Sequence, residues 1–271
     1  MTVGEAMTFS VQKKLKREKT MRKMISFLTV LFGACLGLGF VVSKFEKKKV
    51  WANGHRPYGI YEKNIKRPLD FGLALFALIM FWPFLLIIAI AVRINMGSPV
   101  IFSQERPGLG GEIFKIKKFR TMSDKRDSDG NLLPDEQRLT RFGRWLRASS
   151  GDEGCELFNI IKGELAIVGP RPLMVDYLPR YSEEQSHRHD VRPGLTGYAQ
   201  AHGRNALSWE DKFAMDVWYT KNITFKNDVM IIFNNIRTVL THEGISSGSS
   251  ATMEAFMGTP EGVEAQWKAP Y

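Results

Sequence analysis

SSGDEGCELFNIIKGELAIVGPRP, residues Ser149 to Pro172, decides how this chain is read. Ser149 or Ser150 suits an N-cap, which places the adjacent carboxylates Asp152 and Glu153 in the first turn of a helix. A short strand follows. The Gly-Pro-Arg-Pro sequence from Gly169 to Pro172 then reads as a turn that fixes the backbone and aims Arg171. The positive end of a helix favours ionised carboxylates by about 0.3–1 kcal/mol, and the same end binds phosphate. An ionised, partly desolvated aspartate can act as a nucleophile. A carboxylate pair can also hold Mg²⁺, which takes hard oxygen ligands and bridges phosphate oxygens. Neighbouring helical residues point about 100° apart, so one of the two is expected to attack while the other assists or binds metal.

Arginines flank the pair: Arg147 just before it and Arg171 in the turn after it. A guanidinium recognises phosphate with a planar fork. Further on, Val191 to Asn205, VRPGLTGYAQAHGRN, carries three glycines with Gln200, Arg204 and Asn205, and reads as a loop presenting polar groups. Upstream, Pro99–Pro107 and Glu112–Met122 read as strands joined by a turn at Gly108, Gly110 and Gly111, with Lys115, Lys117, Lys118 and Arg120 clustered on the second. Ser123–Pro134 reads as a loop.

Asp135–Ser149 is predicted as one basic amphipathic helix, with Leu139, Phe142, Trp145 and Leu146 beside Arg138, Arg141, Arg144 and Arg147. It suits an anionic membrane interface, core packing, or both. Ser208–Lys221 is an aromatic-rich helix, its Trp209, Phe213, Trp218 and Tyr219 fitting either the headgroup zone or the core. Phe225–Thr241 is a helix expected to bury one face through Val229, Ile232, Phe233, Ile236, Val239 and Leu240. A poorly ordered tail is expected from Gly244 onward.

The 271 residues carry a formal net charge of +10, which implies an anionic partner: nucleic acid, anionic lipid or a phosphorylated substrate. Two cysteines, Cys35 and Cys155, with no metal-ligand spacing argue against a disulfide framework and a zinc site, and fit a reducing, cytosol-facing location. Met24–Val42 is free of charge and close to bilayer-crossing length. Basic flanks on both sides give it no clear orientation. A retained anchor suits it better than a signal peptide, because no small-residue cleavage site precedes Lys44. Leu69–Val92 is the second apolar stretch, with Pro83 near its middle. Proline kinks or breaks a helix, and this segment is either a straight span or a re-entrant helix–break–helix that dips into one leaflet and returns. A nucleic-acid binder would explain neither apolar stretch.

These residues resemble the monotopic phosphoglycosyl transferases, bacterial sugar transferases that start glycan assembly on a polyprenyl phosphate carrier. The matching blocks are KRPLDF (Lys66–Phe71), FSQERPGLGGEIFKIKKFRTM (Phe102–Met122), DE (Asp152–Glu153), LFNIIKGELAIVGPRP (Leu157–Pro172) and VRPGLTGYAQAHGRN (Val191–Asn205), in family order. They look most similar to small members acting on a UDP-diacetylated bacillosamine-type sugar, a subgroup that TMEAFMG (Thr252–Gly258) also suggests.

The resemblance implies a membrane-associated α/β fold with a re-entrant membrane helix, interfacial amphipathic helices and a small globular cytosolic domain with short strands. It divides the chain into a basic extension with a candidate extra membrane helix (residues 1–60, helix 24–42), a transferase domain with its re-entrant helix (61–258, helix 69–92) and a flexible tail (259–271). It implies that Asp152 attacks the β-phosphate of a UDP-sugar, releasing UMP. Polyprenyl phosphate would then take the phosphosugar from a covalent aspartyl intermediate. Glu153 would assist proton transfer or organise Mg²⁺. Arg147 would hold phosphate, Arg171 would contact the nucleotide side and Lys118 would lie near the phosphates, with Gln200, Arg204 and Asn205 as further substrate contacts. The implied location is the bacterial inner membrane, catalytic domain toward the cytosol. Membrane lipids are partners, nucleic acid is not, and a homo-oligomer is allowed.

Three features depart from the family pattern. Gly151 and Gly154, with Cys155 next, flank the acidic pair where the family usually has flanking leucines on the two sides, which predicts a less firmly seated turn. Trp82 precedes Pro83 where serine is common. Met1–Lys49 is extra relative to the small members. The two flanking glycines and Cys155 motivate an alternative reading, a catalytically impaired membrane scaffold or carrier-lipid binder on the same fold.

Overall fold

The computed structural model describes residues 3–46, 52, 54–203, 206–241, 255–260 and 262–270, with the side chains of residues 3–13, 15 and 239–241 left out of the description. The elements are α1 (Val3–Phe45), α2 (Lys66–Met96), β1 (Ile101–Pro107), β2 (Ile113–Phe119), α3 (Asp135–Arg138), α4 (Arg141–Ala148), α5 (Glu156–Ile161), β3 (Ala166–Val168), α6 (Glu183–Ser186), β4 (Gly194–Thr196), α7 (Tyr198–Ala201), α8 (Trp209–Lys221) and α9 (Phe225–Thr241). β1 and β2 form an antiparallel hairpin, and β3 pairs in parallel with β4. The result is a mixed fold of helices and two small sheets.

Lys16–Phe45 and Tyr61–Met96 are long and apolar enough to cross a membrane. The two helices approach closely where side chains are absent. A Cβ on Gly39 would overlap the Pro68 carbonyl, and one on Gly72 would lie 2.8 Å from Leu36 Cδ2. Phe32 and Phe76 meet edge to face farther along. α2 runs unbroken through Pro83, so the break expected there is absent and the helix is one continuous piece; the neighbouring Phe81, Trp82 and Phe84 project outward.

Both parts of α2 touch the globular body. Ala74 clusters with Ile116, Ile160 and Leu165. Beyond Pro83, Val92 clusters with Phe119, Leu146 and Cys155, and Leu85 and Ile88 pack against that group.

The KRPLDF block pins the start of α2. Lys66 reaches Asp228 of α9 at 2.6 Å, and Tyr61 and Tyr219 donate their hydroxyls to the same carboxylate. Arg67 binds the Ile160 carbonyl and pairs with Glu46, at the exit of α1, at 2.7 Å. Buried charges of this kind are tolerated because each is paired. The polar pocket lined by Glu62, Lys66, Arg67, Asp70 and Arg192 belongs to this anchor and contains neither member of the acidic pair.

Several expectations change. The predicted helix Asp135–Ser149 is two pieces, because Thr140 caps a new helix by accepting a hydrogen bond from the Gly143 amide at 2.9 Å. Val191–Asn205 is not all loop, since it contains β4 and α7. Its Arg204 and Asn205 lie outside the described residues. α9 buries Asp228 and Ile231; of the expected face Ile232 packs against the core, Val229, Phe233 and Ile236 are exposed, and the side chains of Val239 and Leu240 lie outside the description. In α8, Phe213 and Tyr219 are core residues. Residues 242–254, including the start of the expected tail, are outside the described residues. The part of the tail that is described lies against the body: Phe256 is buried among Tyr177, Tyr181 and Phe213. Farther on, the backbone amides of Gln266 and Trp267 both donate to Asp211 of α8.

Candidate functional site

The acidic pair does not start an α-helix. α4 ends at Ala148 with Ser149 as its C-cap, and Ser149 Oγ donates back to the Leu146 carbonyl. Ser150 adopts a left-handed conformation (φ 54°) and caps nothing with its side chain. The chain then makes a 3-10 turn, Gly151–Cys155, before α5 begins. Successive residues in such a turn point about 120° apart, which separates Asp152 from Glu153 more fully than an α-helix would.

Their environments differ accordingly. Glu153 Oε1 accepts from Lys118 Nζ at 2.7 Å and from Arg171 Nη2 at 2.9 Å, and Oε2 has no partner among the described residues. Burial works against the Glu153 charge, but Arg171 and Lys118 outweigh it and hold the pKa at about 2. Asp152 is buried and makes no ion pair within the described residues. Burial and then the Glu153 charge push its pKa above the ordinary aspartate value, while Lys118 and Arg147 pull the other way. One carboxylate is therefore clamped and the other is free of ion pairing.

The clamp is built from distant elements. Lys118 lies near the end of β2 and also stands 3.0 Å from Glu156 Oε1. Glu156 is almost wholly buried, and burial lifts its pKa to about 7 despite Lys118. α5 is tied to β2 by Asn159, whose amide donates to the Lys115 carbonyl and whose Oδ1 accepts from the Lys117 amide. Arg171 is held from behind: Arg188 Nη2 binds the Arg171 carbonyl at 2.7 Å and pairs with Asp216 of α8. Arg147 donates to Thr121 Oγ1 at 2.9 Å, from a helix that comes close because residue 143 is glycine; a Cβ there would overlap the Thr121 carbonyl oxygen.

Lys118, Arg147 and Arg171 thus lie around Asp152 and Glu153. Gln200 lies on α7, and no hydrogen bond or ion pair among the described residues connects it to the acidic pair. Sequence reading missed Glu156, Thr121, Arg188 and Asp216. It also missed Gln104 and Arg106, although the alternation Phe102, Gln104, Arg106 along β1 was a readable signal.

The flanking glycines receive a physical account here. A Cβ on Gly154 would lie 2.6 Å from Leu85 Cδ2, and one on Gly151 would lie 2.8 Å from Leu146 Cδ1 and 3.8 Å from Ile88 Cδ1. Side chains of α2 and α4 occupy the space that flanking leucines would fill. Cys155 packs as a small apolar residue against Val92, Phe119 and Leu146, and burial pushes its thiol up to about 12.

Among the described residues, no group of three or more His, Cys, Asp or Glu side chains is arranged to hold a metal. The donor set fits Mg²⁺ in a narrower sense. Asp152 and the Oε2 atom of Glu153 are hard oxygen donors, and Mg²⁺ commonly binds through one or two carboxylates with waters and substrate phosphates completing its shell.

A family profile described as bacterial sugar transferase matches residues 61–242. An uncharacterized sugar transferase of Bacillus subtilis, EpsL, is 51% identical over 195 residues, covering 72% of this chain and 96% of the relative. An Aeromonas hydrophila protein named UDP-N-acetylgalactosamine-undecaprenyl-phosphate N-acetylgalactosaminephosphotransferase is 35% identical over 188 residues, 66% of this chain and 44% of its own length. The undecaprenyl-phosphate galactose phosphotransferase of Salmonella typhimurium is 32% identical over 197 residues, 66% of this chain and 41% of its own length. The chain belongs to the bacterial sugar transferase family and is a phosphoglycosyl transferase.

Proposed function

We propose that this enzyme transfers the sugar phosphate of a UDP-sugar to polyprenyl phosphate, giving a polyprenyl-diphosphate sugar and UMP. The observation that carries the reading is the division of labour in the acidic pair: Glu153 clamped by Lys118 and Arg171, Asp152 free of ion pairing and raised in basicity. An Asp152 oxygen attacks the β-phosphorus, and the bond from that phosphorus to the bridging oxygen breaks. UMP leaves with the electron pair. The lipid phosphate oxygen then attacks the aspartyl phosphosugar, the aspartyl–phosphorus bond breaks, and the carboxylate is restored. Lys118, Arg147 and Arg171 neutralise phosphate oxygens along the way. Asp152 and Glu153 would hold Mg²⁺, which supplies further neutralisation of the diphosphate charge.

We read α2 as re-entrant. A straight helix at about 1.5 Å per residue would put Ala74 and Val92 about 27 Å apart. The β2 residues in their respective clusters, Ile116 and Phe119, are only about 10 Å apart. A bend at Pro83 reconciles the two distances and keeps both flanks on the cytosolic side of the inner membrane. Exposed apolar side chains on α4 (Trp145) and α9 (Phe225, Val229, Phe233, Ile236) support an interfacial position for these helices.

The test is UMP release across a panel of UDP-sugars, including N-acetylgalactosamine, galactose, glucose and diacetylated bacillosamine donors, with Mg²⁺ and polyprenyl phosphate. We expect turnover with at least one donor, loss on chelation, and loss in Asp152→Asn. Without acceptor, an acid-quenched sample should carry a phosphosugar on Asp152 by mass spectrometry. Equal turnover by Asp152→Asn would remove the assigned nucleophile. The alternative, an impaired scaffold, rested on the flanking glycines and predicts ligand binding with no UMP. The packing of Leu85, Leu146 and Ile88 beside those glycines weakens its motive.

A further inference from the structure

Arg106 is a cation of this site without an anionic partner among the described residues. In the β1–β2 register Phe102 opposes Lys118, Gln104 opposes Ile116 and Arg106 opposes Phe114. Opposed residues of an antiparallel pair share a face, as do residues two apart along a strand. Gln104 and Arg106 therefore lie on the face from which Lys118 reaches Glu153 and Glu156. Gln104 Nε2 touches Met174 Sδ at 3.7 Å, three residues past Arg171, so the strand borders the Gly-Pro-Arg-Pro turn.

Arg106 Nη2 donates to Gln104 Oε1 at 2.7 Å, which orients the guanidinium, but no carboxylate lies within ion-pair distance of it among the described residues. It is half-buried. Burial first, and the neighbouring Arg171 charge second, pull its pKa below the usual arginine value, with Glu156 acting in the opposite sense. Lys118 and Arg171 already have Glu153 between them. Arg106 is brought near a like charge and partly out of water, and the more distant Glu156 offsets this only in part, with no carboxylate of the described residues paired to it. A bound anion bridging Arg106 and Arg171 would offset both.

We propose that Arg106, oriented by Gln104, binds a phosphate of the nucleotide donor opposite Arg171 and forms the arm of the site that holds the departing UMP. The assignment rests on the donor reading above. The shared chemistry is a phosphate group, which either the nucleotide or the lipid carrier could bring. The position of Arg106 favours the nucleotide: it faces the Arg171 turn, whereas Arg147 approaches Asp152 from α4, whose exposed Trp145 marks the apolar side.

The experiment has two arms on the full-length protein. In the first, UMP binding is measured at equilibrium for wild type, Arg106→Gln, Arg106→Lys and Gln104→Ala, which needs no turnover and no knowledge of the sugar. Loss of one charge-assisted contact predicts about ten- to a hundredfold weaker UMP binding in Arg106→Gln. Arg106→Lys should recover part of it and Gln104→Ala should show a smaller loss. In the second arm, KM is measured separately for the UDP-sugar and for polyprenyl phosphate. We expect the donor KM to rise by a similar factor and the acceptor KM to stay at the wild-type value. A rise confined to the acceptor KM would assign Arg106 to the lipid phosphate and overturn the proposal, as would unchanged UMP binding. Should Arg106→Gln fail to fold, Arg106→Lys and Gln104→Ala decide the matter in the same assays. Failure of the broader reading appears differently, as wild type that releases no UMP from any donor.

Discussion

Leu85 occupies the space beside Gly154: a Cβ on that glycine would lie 2.6 Å from Leu85 Cδ2. Leu85 lies two residues past Pro83 in the apolar helix, and Gly154 follows the acidic pair. The apolar helix α2 therefore forms the back wall of the turn that carries Asp152. This explains how a sequence lacking the flanking leucines still seats the pair, because the apolar bulk comes from another element.

The contact predicts a size exchange. Gly154→Ala should destabilise the protein by about 1–3 kcal/mol through overpacking and lower UMP release. Leu85→Ala should cost about 2–5 kcal/mol through the void it leaves. The double variant should be more stable than the sum of the two losses predicts. Thermal midpoints in detergent check this, and strict additivity would show that the two side chains do not share the space.

Gly143 is predicted to tolerate no side chain. An added Cβ would overlap the Thr121 carbonyl oxygen, which is backbone and cannot rotate away. Gly143→Ala should push α4 outward, break the bond from Arg147 to Thr121, and cost about 1–3 kcal/mol. UMP release should fall more than the thermal midpoint alone would suggest. Retention of full activity with an unchanged midpoint would contradict the close approach.

Glu156 gives a pH dependence with a definite sign. Its folded pKa of about 7 lies above the ordinary 4.5, so the folded state binds its proton more tightly than the unfolded chain does. That contribution to stability is complete below 4.5 and is lost as pH rises through about 7. Glu156→Gln removes the cost of ionising a buried carboxylate. Its thermal midpoint relative to wild type should therefore be higher at about pH 8 than at about pH 5. A difference that stays constant between these pH values would sink the prediction.

Topology is open to direct measurement. With Cys35 and Cys155 replaced by alanine, single cysteines at Tyr58 and Asn95 flank the apolar stretch Leu69–Val92 of α2 on its two sides. Both should react with a membrane-impermeant thiol reagent from the cytosolic face alone. Labelling of the two from opposite faces would make α2 a span and remove the bend at Pro83.

Much of the architecture could be read from local pattern. The hairpin was legible as two strand segments joined by a glycine turn, and α8 lies within the aromatic-rich helix read at Ser208–Lys221, because these signals act over a few residues. The α9 face could not. Its apolar stripe looked like a core face, yet Val229, Phe233 and Ile236 point outward while Asp228 is buried against Lys66, Tyr61 and Tyr219. A carboxylate becomes a core residue only when distant partners satisfy it, and no helical period reveals those partners. The start at Ser149 was misread for a related reason. Serine is a good N-cap in general, but here the preceding helix had not yet released the chain.

The sequence alone determined the inventory: two apolar helices, a basic hairpin, an adjacent acidic pair and an arginine locked between prolines. Composition, turn chemistry and spacing carry that much, since each is a property of neighbouring residues. The tertiary structure decided what the acids can do. Lys118 and Arg171 come from opposite sides of the pair in sequence and meet on one oxygen of Glu153. Asp152, its immediate neighbour, is turned about 120° away from them. Which of two adjacent carboxylates is neutralised and which stays available depends on contacts between residues far apart in the chain, and those exist only once the chain has folded.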